Sequence, residues 1–203
     1  TLESKRAQHM DYKQTALILV GYQNDYFAKN GILRGVVEEP GRVDDVLEKT
    51  LALIKRLAPT EASILSTPIV LTPDYRALAS PVGILHTIKE SGAFAAGTPG
   101  AQNIPELTAF GDRIQYVKGK VGFNAFSDTL LDDVLKAKGI RQVLLAGMVT
   151  SLCIDSTGRA AYERGYSVTV LSDCTSARTP IEQAYFCSSV FPLYGTVLAS
   201  TQV

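Results

Sequence analysis

Short apolar runs recur along the chain, and glycine, proline or polar residues bound each of them. The first run, TALILV at residues 15–20, shows no polar alternation, which is typical of a strand buried on both faces of a parallel sheet. Five later runs have the same character. The pattern therefore predicts six strands, at residues 15–20, 63–72, 113–117, 141–147, 166–172 and 195–200.

Segments with helical spacing separate these runs. Apolar residues between Val43 and Leu57 recur every three or four positions, as on the buried side of a helix packed on a sheet. Ser127 is the expected N-cap of another helix, which ends at Gly139. Further helices are expected at residues 82–90, 150–164 and 180–191. Strands that alternate with helices predict an α/β fold, with a mostly parallel sheet covered on both faces and a ligand crevice at the carboxyl ends of its strands.

One stretch does not fit this alternation. Residues 91–106 contain three glycines and two prolines, and we interpret them as a functional loop. No repeat or linker divides the rest, so we expect one domain over residues 11–203. Residues 1–10 are interpreted as an expression scar or a disordered arm.

Charge and composition exclude several classes of function. Twenty Lys and Arg residues balance twenty Asp and Glu residues, so no overall field attracts nucleic acid or an anionic membrane surface. No apolar run approaches the roughly 20 residues that span a bilayer, and the start of the chain does not resemble a signal peptide. We therefore expect a cytoplasmic protein. The chain has only three cysteines and two histidines, so we expect reduced thiols, no metal and no cofactor.

Cys153 is the strongest candidate for chemistry. It follows the strand predicted at residues 141–147 by a few positions and should lie in the first turn of a helix beside the crevice. A helix N-terminus favours a thiolate, and its free N–H groups can hold an oxyanion. The alternative is a buried small hydrophobic residue. Cys174 also lies near a strand end but has no evident activating partner, and Cys187 is expected in the core.

Four segments together resemble a known family. They are ALILVGYQNDYF, GTPGAQNIPEL, KVGFNAF and GMVTSLCIDSTGRAAYERGYSVTVLSD, and their order and spacing are similar to those of the isochorismatase-like (cysteine hydrolase) superfamily. The resemblance covers nearly the whole chain from residue 15. It implies a three-layer α/β/α, Rossmann-like fold around a six-stranded parallel sheet, and a homo-oligomer.

The resemblance also implies a catalytic triad of Asp, Lys and Cys. The nucleophile falls on Cys153 and the lysine on Lys120, with Lys118 as the fallback. The position of the aspartate is Gly21, so the usual base is missing. A non-proline cis peptide is expected between Val149 and Thr150.

Asp25 and Asp74 are the two carboxylates that could replace the missing base, although both could instead serve in turns or caps. Other residues are candidates for the oxyanion site or for substrate binding. They are Val149, Thr150, Gln23, Tyr22, Phe123, Gly97 and Thr98.

These residues predict an enzyme that hydrolyses a C–N bond of a small amide or ureide through a Cys153 thioester. Lys120 supplies positive charge that favours the thiolate. Isochorismate cleavage is disfavoured, because family members that perform it use the aspartate as the acid. A non-catalytic member that binds a ligand or supports an oligomer is one alternative. A thiol redox protein that uses Cys153 is another.

Overall fold

The computed structural model describes residues 10–203. The expectation for the N-terminal arm therefore lies outside the described residues, apart from Met10, which packs against the core. Six parallel strands form one sheet in the order β3-β2-β1-β4-β5-β6. Their bounds are β1 Thr15–Val20, β2 Ser63–Thr67, β3 Gln115–Tyr116, β4 Gln142–Met148, β5 Ser167–Ser176 and β6 Thr196–Leu198. The predicted α/β class and six-stranded sheet are confirmed.

Helices cover both faces of the sheet. Their bounds are α1 Asn24–Phe27, α2 Pro40–Leu57, α3 Gly83–Ser91, α4 Pro105–Thr108, α5 Leu131–Ala137, α6 Asp155–Glu163 and α7 Pro180–Tyr185. No helix within residues 10–203 is both long enough and apolar enough to cross a membrane.

The central strand β1 divides the interior into two cores. All six of its residues are buried, as its unbroken apolar run predicts. Leu17 and Leu19 join a core that includes residues from α2, whereas Ile18 and Val20 join a second core with residues from α5 and α6. This alternation follows from the two-residue period of a strand. The result is the three-layer α/β/α arrangement that the resemblance implies.

Four strands differ from their predicted lengths. The edge strands β3 and β6 are each three residues shorter than predicted, as is common at the exposed edges of a sheet. The second was predicted to reach residue 72, but β2 ends at Thr67 because Pro68 has no N–H to continue the ladder. The fifth continues past Ser172 to Ser176. Its pairing with β4 shifts register between Leu145 and Gly147, and this irregularity lets the pairing resume further along β5.

Two helix predictions also need correction. Ser127 does not cap α5. The helix begins at Leu131, and the residue at its N-cap position is Leu130. The predicted Gly139 C-cap is confirmed by its left-handed φ of +67° and by its N–H bond to the carbonyl of Lys136. The helix predicted over residues 180–191 is α-helical only to Tyr185, and a π-helical turn and a 3-10 turn follow it.

The crevice lies where β1 and β4 meet. Chain connections run outward from this pair in opposite directions, and ligands bind at such switch points of parallel sheets. Gly147 allows the close approach of the two strands: its φ is +123°, and a Cβ built on it would clash with the backbone carbonyl of Val20. A glycine is therefore required beside the site.

Replacement of Gly147 by alanine should strongly destabilise the fold. We expect Gly147→Ala to lower the free energy of unfolding by about 3 kcal/mol or more, through the clash and the strained φ. The matched control is Gly41→Ala in α2, where a Cβ meets nothing within 4 Å and φ is not positive. That variant should gain about 0.5 kcal/mol. Urea unfolding measures both, and equal stability of the two variants would contradict this account.

Candidate active site

Cys153 lies in a π-helical turn at the carboxyl end of β4. The turn spans Thr150–Ile154 and runs directly into α6. Its wide geometry is visible in the bond from the Ile154 N–H to the Val149 carbonyl, five residues earlier. The sequence predicted one regular helix from residue 150, and the structure corrects its first turn. Such π-helical turns are frequent at functional sites.

Two features set the backbone geometry before this turn. The peptide bond between Met148 and Val149 is cis, one residue earlier than expected. The motif alone does not distinguish between adjacent peptide bonds, which explains the error. Thr150 and Ser151 begin the turn, so their N–H groups have no carbonyl partner within it. The Val149 carbonyl closes the turn by accepting from Leu152 and Ile154.

Lys120 lies against the Cys153 sulfur. Its Nζ donates to Cys153 Sγ at 3.3 Å and to the carbonyl oxygen of Gly122 at 2.5 Å, and its side chain is fully buried. The segment that carries it is held by two contacts: Lys120 pairs with Ile69 beyond β2, and the Ala125 N–H donates to Thr157 Oγ1 on α6. The predicted lysine is therefore the one beside the thiol, whereas the fallback Lys118 is exposed.

Gly21 leaves the expected aspartate position without a side chain. It lies at the carboxyl end of β1 with a φ of +76°, in the left-handed region that favours glycine. A Cβ built there would lie 3.3 Å from the carbonyl oxygen of Met148 and 3.3 Å from two ring atoms of Tyr26. The space that an aspartate would need is therefore already crowded.

Asp25 is buried but holds the loop rather than the thiol. Its Oδ2 accepts from the Phe94 N–H at 2.7 Å, and its carboxylate lies so close to Gly100 that a Cβ there would clash with it. No hydrogen bond joins it to Cys153 or Lys120 within residues 10–203. The structure therefore favours the structural interpretation of Asp25.

Asp74 is also engaged elsewhere. Its carboxylate accepts from Thr72 Oγ1 at 2.5 Å and from the Arg76 N–H at 3.3 Å, and 63% of its side chain is exposed. The Thr72 hydrogen bond lowers its pKa. These contacts are typical of a turn, and no hydrogen bond between residues 10 and 203 joins Asp74 to Cys153 or Lys120.

The polar groups of Gln23 and Tyr22 form hydrogen bonds within the protein. The Gln23 amide donates to the carbonyls of Ile69 and Ala101 and accepts from the Ile69 N–H, which ties three chain segments together. The Tyr22 hydroxyl lies 2.6 Å from Thr50 Oγ1 on α2. These contacts hold the protein together, and the binding roles expected for Gln23 and Tyr22 stay predictions.

The loop predicted at residues 91–106 packs on α1. The Asn24 side chain donates to the carbonyl of Pro99, and Thr98 donates its hydroxyl to Ala95 within the loop. Gly97 has a φ of +85° and is exposed. Both Gly97 and Thr98 shape the loop, and neither contacts the Cys153 thiol through a hydrogen bond. The loop also contains the short 3-10 turn Pro99–Ala101.

The structure adds two residues of α7 that sequence analysis missed. Thr150 Oγ1 donates to Gln183 Oε1 at 2.7 Å, and Ser151 Oγ donates to Glu182 Oε1 at 2.6 Å. Burial opposes ionisation of Glu182, but the bonds from Ser151 and Arg178 prevail and lower its pKa. The two side chains fix the start of the turn that carries Cys153.

A cleft of about 500 Å³ opens beside this turn. Ser151 and Leu152 form one side, and Phe123 and the segment 80–85 form a largely apolar wall. Arg178 lines the rim, where its Nε lies 3.3 Å from Glu182 Oε2. The predicted contribution of Phe123 to the pocket is consistent with this lining. The cleft is large enough for a small organic molecule.

The other thiols lie in less reactive surroundings. Burial raises the pKa of Cys174 to about 12, and burial also raises the pKa of the half-buried Cys187. None of the three cysteines forms a disulfide. Within residues 10–203, no group of three or more His, Cys, Asp or Glu side chains is placed to hold a metal ion.

The structure thus brings a cysteine and a buried lysine together at the switch point of a parallel α/β sheet. The family model described as Isochorismatase domain matches residues 15–202. The chain therefore belongs to the isochorismatase family. One relative is the ureidoacrylate amidohydrolase RutB of Methylorubrum extorquens, 28% identical over 182 residues that cover 84% of this chain and 73% of the relative.

Solved structures show the same fold. A cysteine hydrolase from Pseudomonas syringae pv. phaseolicola superposes with a TM-score of 0.79 at 20% identity, covering 95% of this chain and 92% of its own. The N-carbamoylsarcosine amidase of Thermoplasma acidophilum superposes with a TM-score of 0.74 at 21% identity, covering 94% of this chain and 98% of its own. At these identities the likeness concerns the fold.

The contact between Lys120 and Cys153 can be tested without a substrate. Because the ammonium favours a thiolate, Lys120→Met should slow alkylation of Cys153 by iodoacetamide about tenfold at about pH 7. The control Lys118→Met removes an exposed lysine two residues away and should leave the rate unchanged. Peptide mapping by mass spectrometry measures each site. An unchanged rate in Lys120→Met would show that the lysine does not activate the thiol.

Proposed function

We propose that this protein is a cysteine-dependent amidohydrolase that cleaves a C–N bond of a small amide or ureide. The contact that carries the proposal is the 3.3 Å approach of Lys120 Nζ to Cys153 Sγ in a buried site. Thiolates are the nucleophilic form of cysteine, and an adjacent cation favours them. The names of the relatives RutB and N-carbamoylsarcosine amidase support the substrate class.

Each part of the site has a role in the proposed reaction. The Cys153 sulfur attacks the carbonyl carbon and forms a tetrahedral intermediate, whose oxygen accepts hydrogen bonds from backbone N–H groups at Val149, Thr150 and Cys153. The intermediate collapses to a thioester as the C–N bond breaks, and water then hydrolyses the thioester. Lys120 balances the charge of the thiolate before attack and after release.

The cleft determines which amides enter. Its apolar wall, built from Phe123 and the segment 80–85, suits a small flat or aliphatic group, while the Arg178–Glu182 pair lies at the rim. Ser151 and Leu152 belong both to the cleft lining and to the turn that carries Cys153. The amide of a substrate in the cleft therefore lies beside that turn. The expected homo-oligomer and the expected cytoplasmic location stay predictions.

Gly21 favours a second candidate, a non-catalytic member that binds a ligand in the same cleft. The lost carboxylate removes the group that the family resemblance assigns to proton transfer. The two candidates differ in one respect that is easily measured: the enzyme turns its ligand over, and the binding protein does not.

Ammonia release tests the proposal. The purified protein is incubated with ureidoacrylate, N-carbamoylsarcosine, acetamide and benzamide, and free ammonia is measured over time. We expect release from at least one compound, with loss to background in Cys153→Ala because the nucleophile is gone.

The matched control is Cys187→Ala, which removes a half-buried thiol on the π-helical turn after α7 and should keep the rate. If no compound releases ammonia while one of them still binds to the parent and to Cys153→Ala, the binding candidate replaces the enzyme. Equal loss of activity in both alanine variants would contradict the role of Cys153.

A further inference from the structure

The space beside Gly21 is occupied by an aromatic ring. A Cβ built on Gly21 would lie 3.3 Å from Cδ2 and from Cε2 of Tyr26, so this ring edge covers the point from which an aspartate side chain would extend. Tyr26 belongs to α1, the helix that follows β1 at the carboxyl edge of the sheet. The tyrosine therefore lies where the expected base is missing.

The position of this ring is fixed from its other side. Tyr26 packs edge-on against Phe94, with ring centroids 5.2 Å apart. The Phe94 N–H is held by the buried carboxylate of Asp25. Asp25 thus contributes to the site indirectly, because it anchors the loop against which the Tyr26 ring rests.

The hydroxyl of Tyr26 differs from those of four other tyrosines that are largely enclosed, whereas the buried hydroxyl of Tyr116 resembles it in having no partner among the described residues. Tyr22, Tyr75, Tyr166 and Tyr194 each bond to a protein oxygen. Tyr26 is only 1% exposed, yet its hydroxyl bonds to no residue within the described part of the chain. A buried phenol usually has a partner. The Tyr26 hydroxyl thus keeps a donor that no described residue accepts.

The pKa of the Tyr26 phenol also depends on the charge of Cys153. Burial raises the pKa of Tyr26 well above its ordinary value, and the charge of Cys153 raises it further. Two negative charges repel each other, so a negative sulfur at Cys153 disfavours ionisation of the Tyr26 hydroxyl. Tyr26 therefore keeps its proton at neutral pH.

We infer that the Tyr26 hydroxyl is the catalytic proton donor that replaces the aspartate missing at Gly21. This inference rests on the proposed amidohydrolase function and deepens it. Neither predicted substitute serves instead, because Asp25 is bonded to the loop and Asp74 to an exposed turn.

The proton transfers balance over one turnover. The Cys153 thiolate forms the S–C bond, and the carbonyl π electrons move to oxygen. As the C=O bond re-forms and the C–N bond breaks, the nitrogen takes the proton of Tyr26 Oη and leaves as the neutral amine. The phenolate then takes a proton from water while the resulting hydroxide attacks the thioester carbon. The C–S bond breaks, which releases the acid and restores both the thiolate and the phenol.

The leaving group provides a sharp test. Amide nitrogen must be protonated to leave, whereas p-nitrophenolate leaves without a proton. In Tyr26→Phe, ammonia release from the best amide of the panel should fall about 100-fold. The initial burst of p-nitrophenolate from p-nitrophenyl acetate, which reports acylation of Cys153, should stay within about twofold of the parent. The slower release after the burst should decrease, because deacylation also uses Tyr26.

Tyr166→Phe is the matched control. It removes another enclosed phenol hydroxyl, the one bonded to Asp132 of α5, at the opposite ends of the strands. It should affect neither reaction. Amide hydrolysis within about twofold of the parent in Tyr26→Phe would overturn the assignment. A burst and an amide rate that fall by the same factor would also overturn it, because the loss would then be structural. A parent that releases no ammonia from any amide would instead reject the proposed function itself, and this inference with it.

Discussion

The burial of the Lys120 ammonium against the Cys153 sulfur is the contact on which the site depends. The lysine side chain is fully enclosed, and among the described residues its polar partners are one carbonyl oxygen and this sulfur. A buried cation without a nearby anion is costly. In the proposed mechanism, the Cys153 sulfur supplies that anion. The rest of the structure serves to bring the two together.

Three separate parts of the chain meet to make this contact. Cys153 comes from the π-helical turn after β4, Lys120 from the segment that pairs with Ile69 beyond β2, and the Gln183 and Glu182 side chains of α7 fix the turn from outside. The close approach of β1 and β4 at Gly147 sets the distance between the two strands at the crevice. Small backbone changes at this edge should therefore affect the site and the stability together.

The sequence predicts the layers of the fold because the physical signals are local. An apolar run such as residues 15–20 has to be buried on both faces, and the helical spacing from Val43 to Leu57 has to face a sheet. The exact ends are less predictable. Pro68 ends β2 early, while the extension of β5 depends on a register shift in its neighbour, which the run itself does not reveal.

The sequence predicts only part of the site, because only some of its residues stand in recognisable local motifs. Cys153 and Lys120 stand in recognisable motifs, whereas Gln23 and Tyr22 are polar residues whose partners lie far away in sequence. The Thr179 cap with Glu182 marks the start of α7, but no local signal shows that the helix reaches the Cys153 turn. No local signal marks Tyr26, because its contact with the Gly21 position forms only when α1 packs beside the end of β1.

The most direct test of the central claim is to trap the acyl-enzyme. The parent is mixed with its best amide, quenched in acid within the first turnovers, digested and mapped by mass spectrometry. Our account predicts an acyl adduct on the peptide that contains Cys153, and none on those that contain Cys174 or Cys187. Continued ammonia release from Cys153→Ala, or an adduct on another cysteine alone, would contradict it.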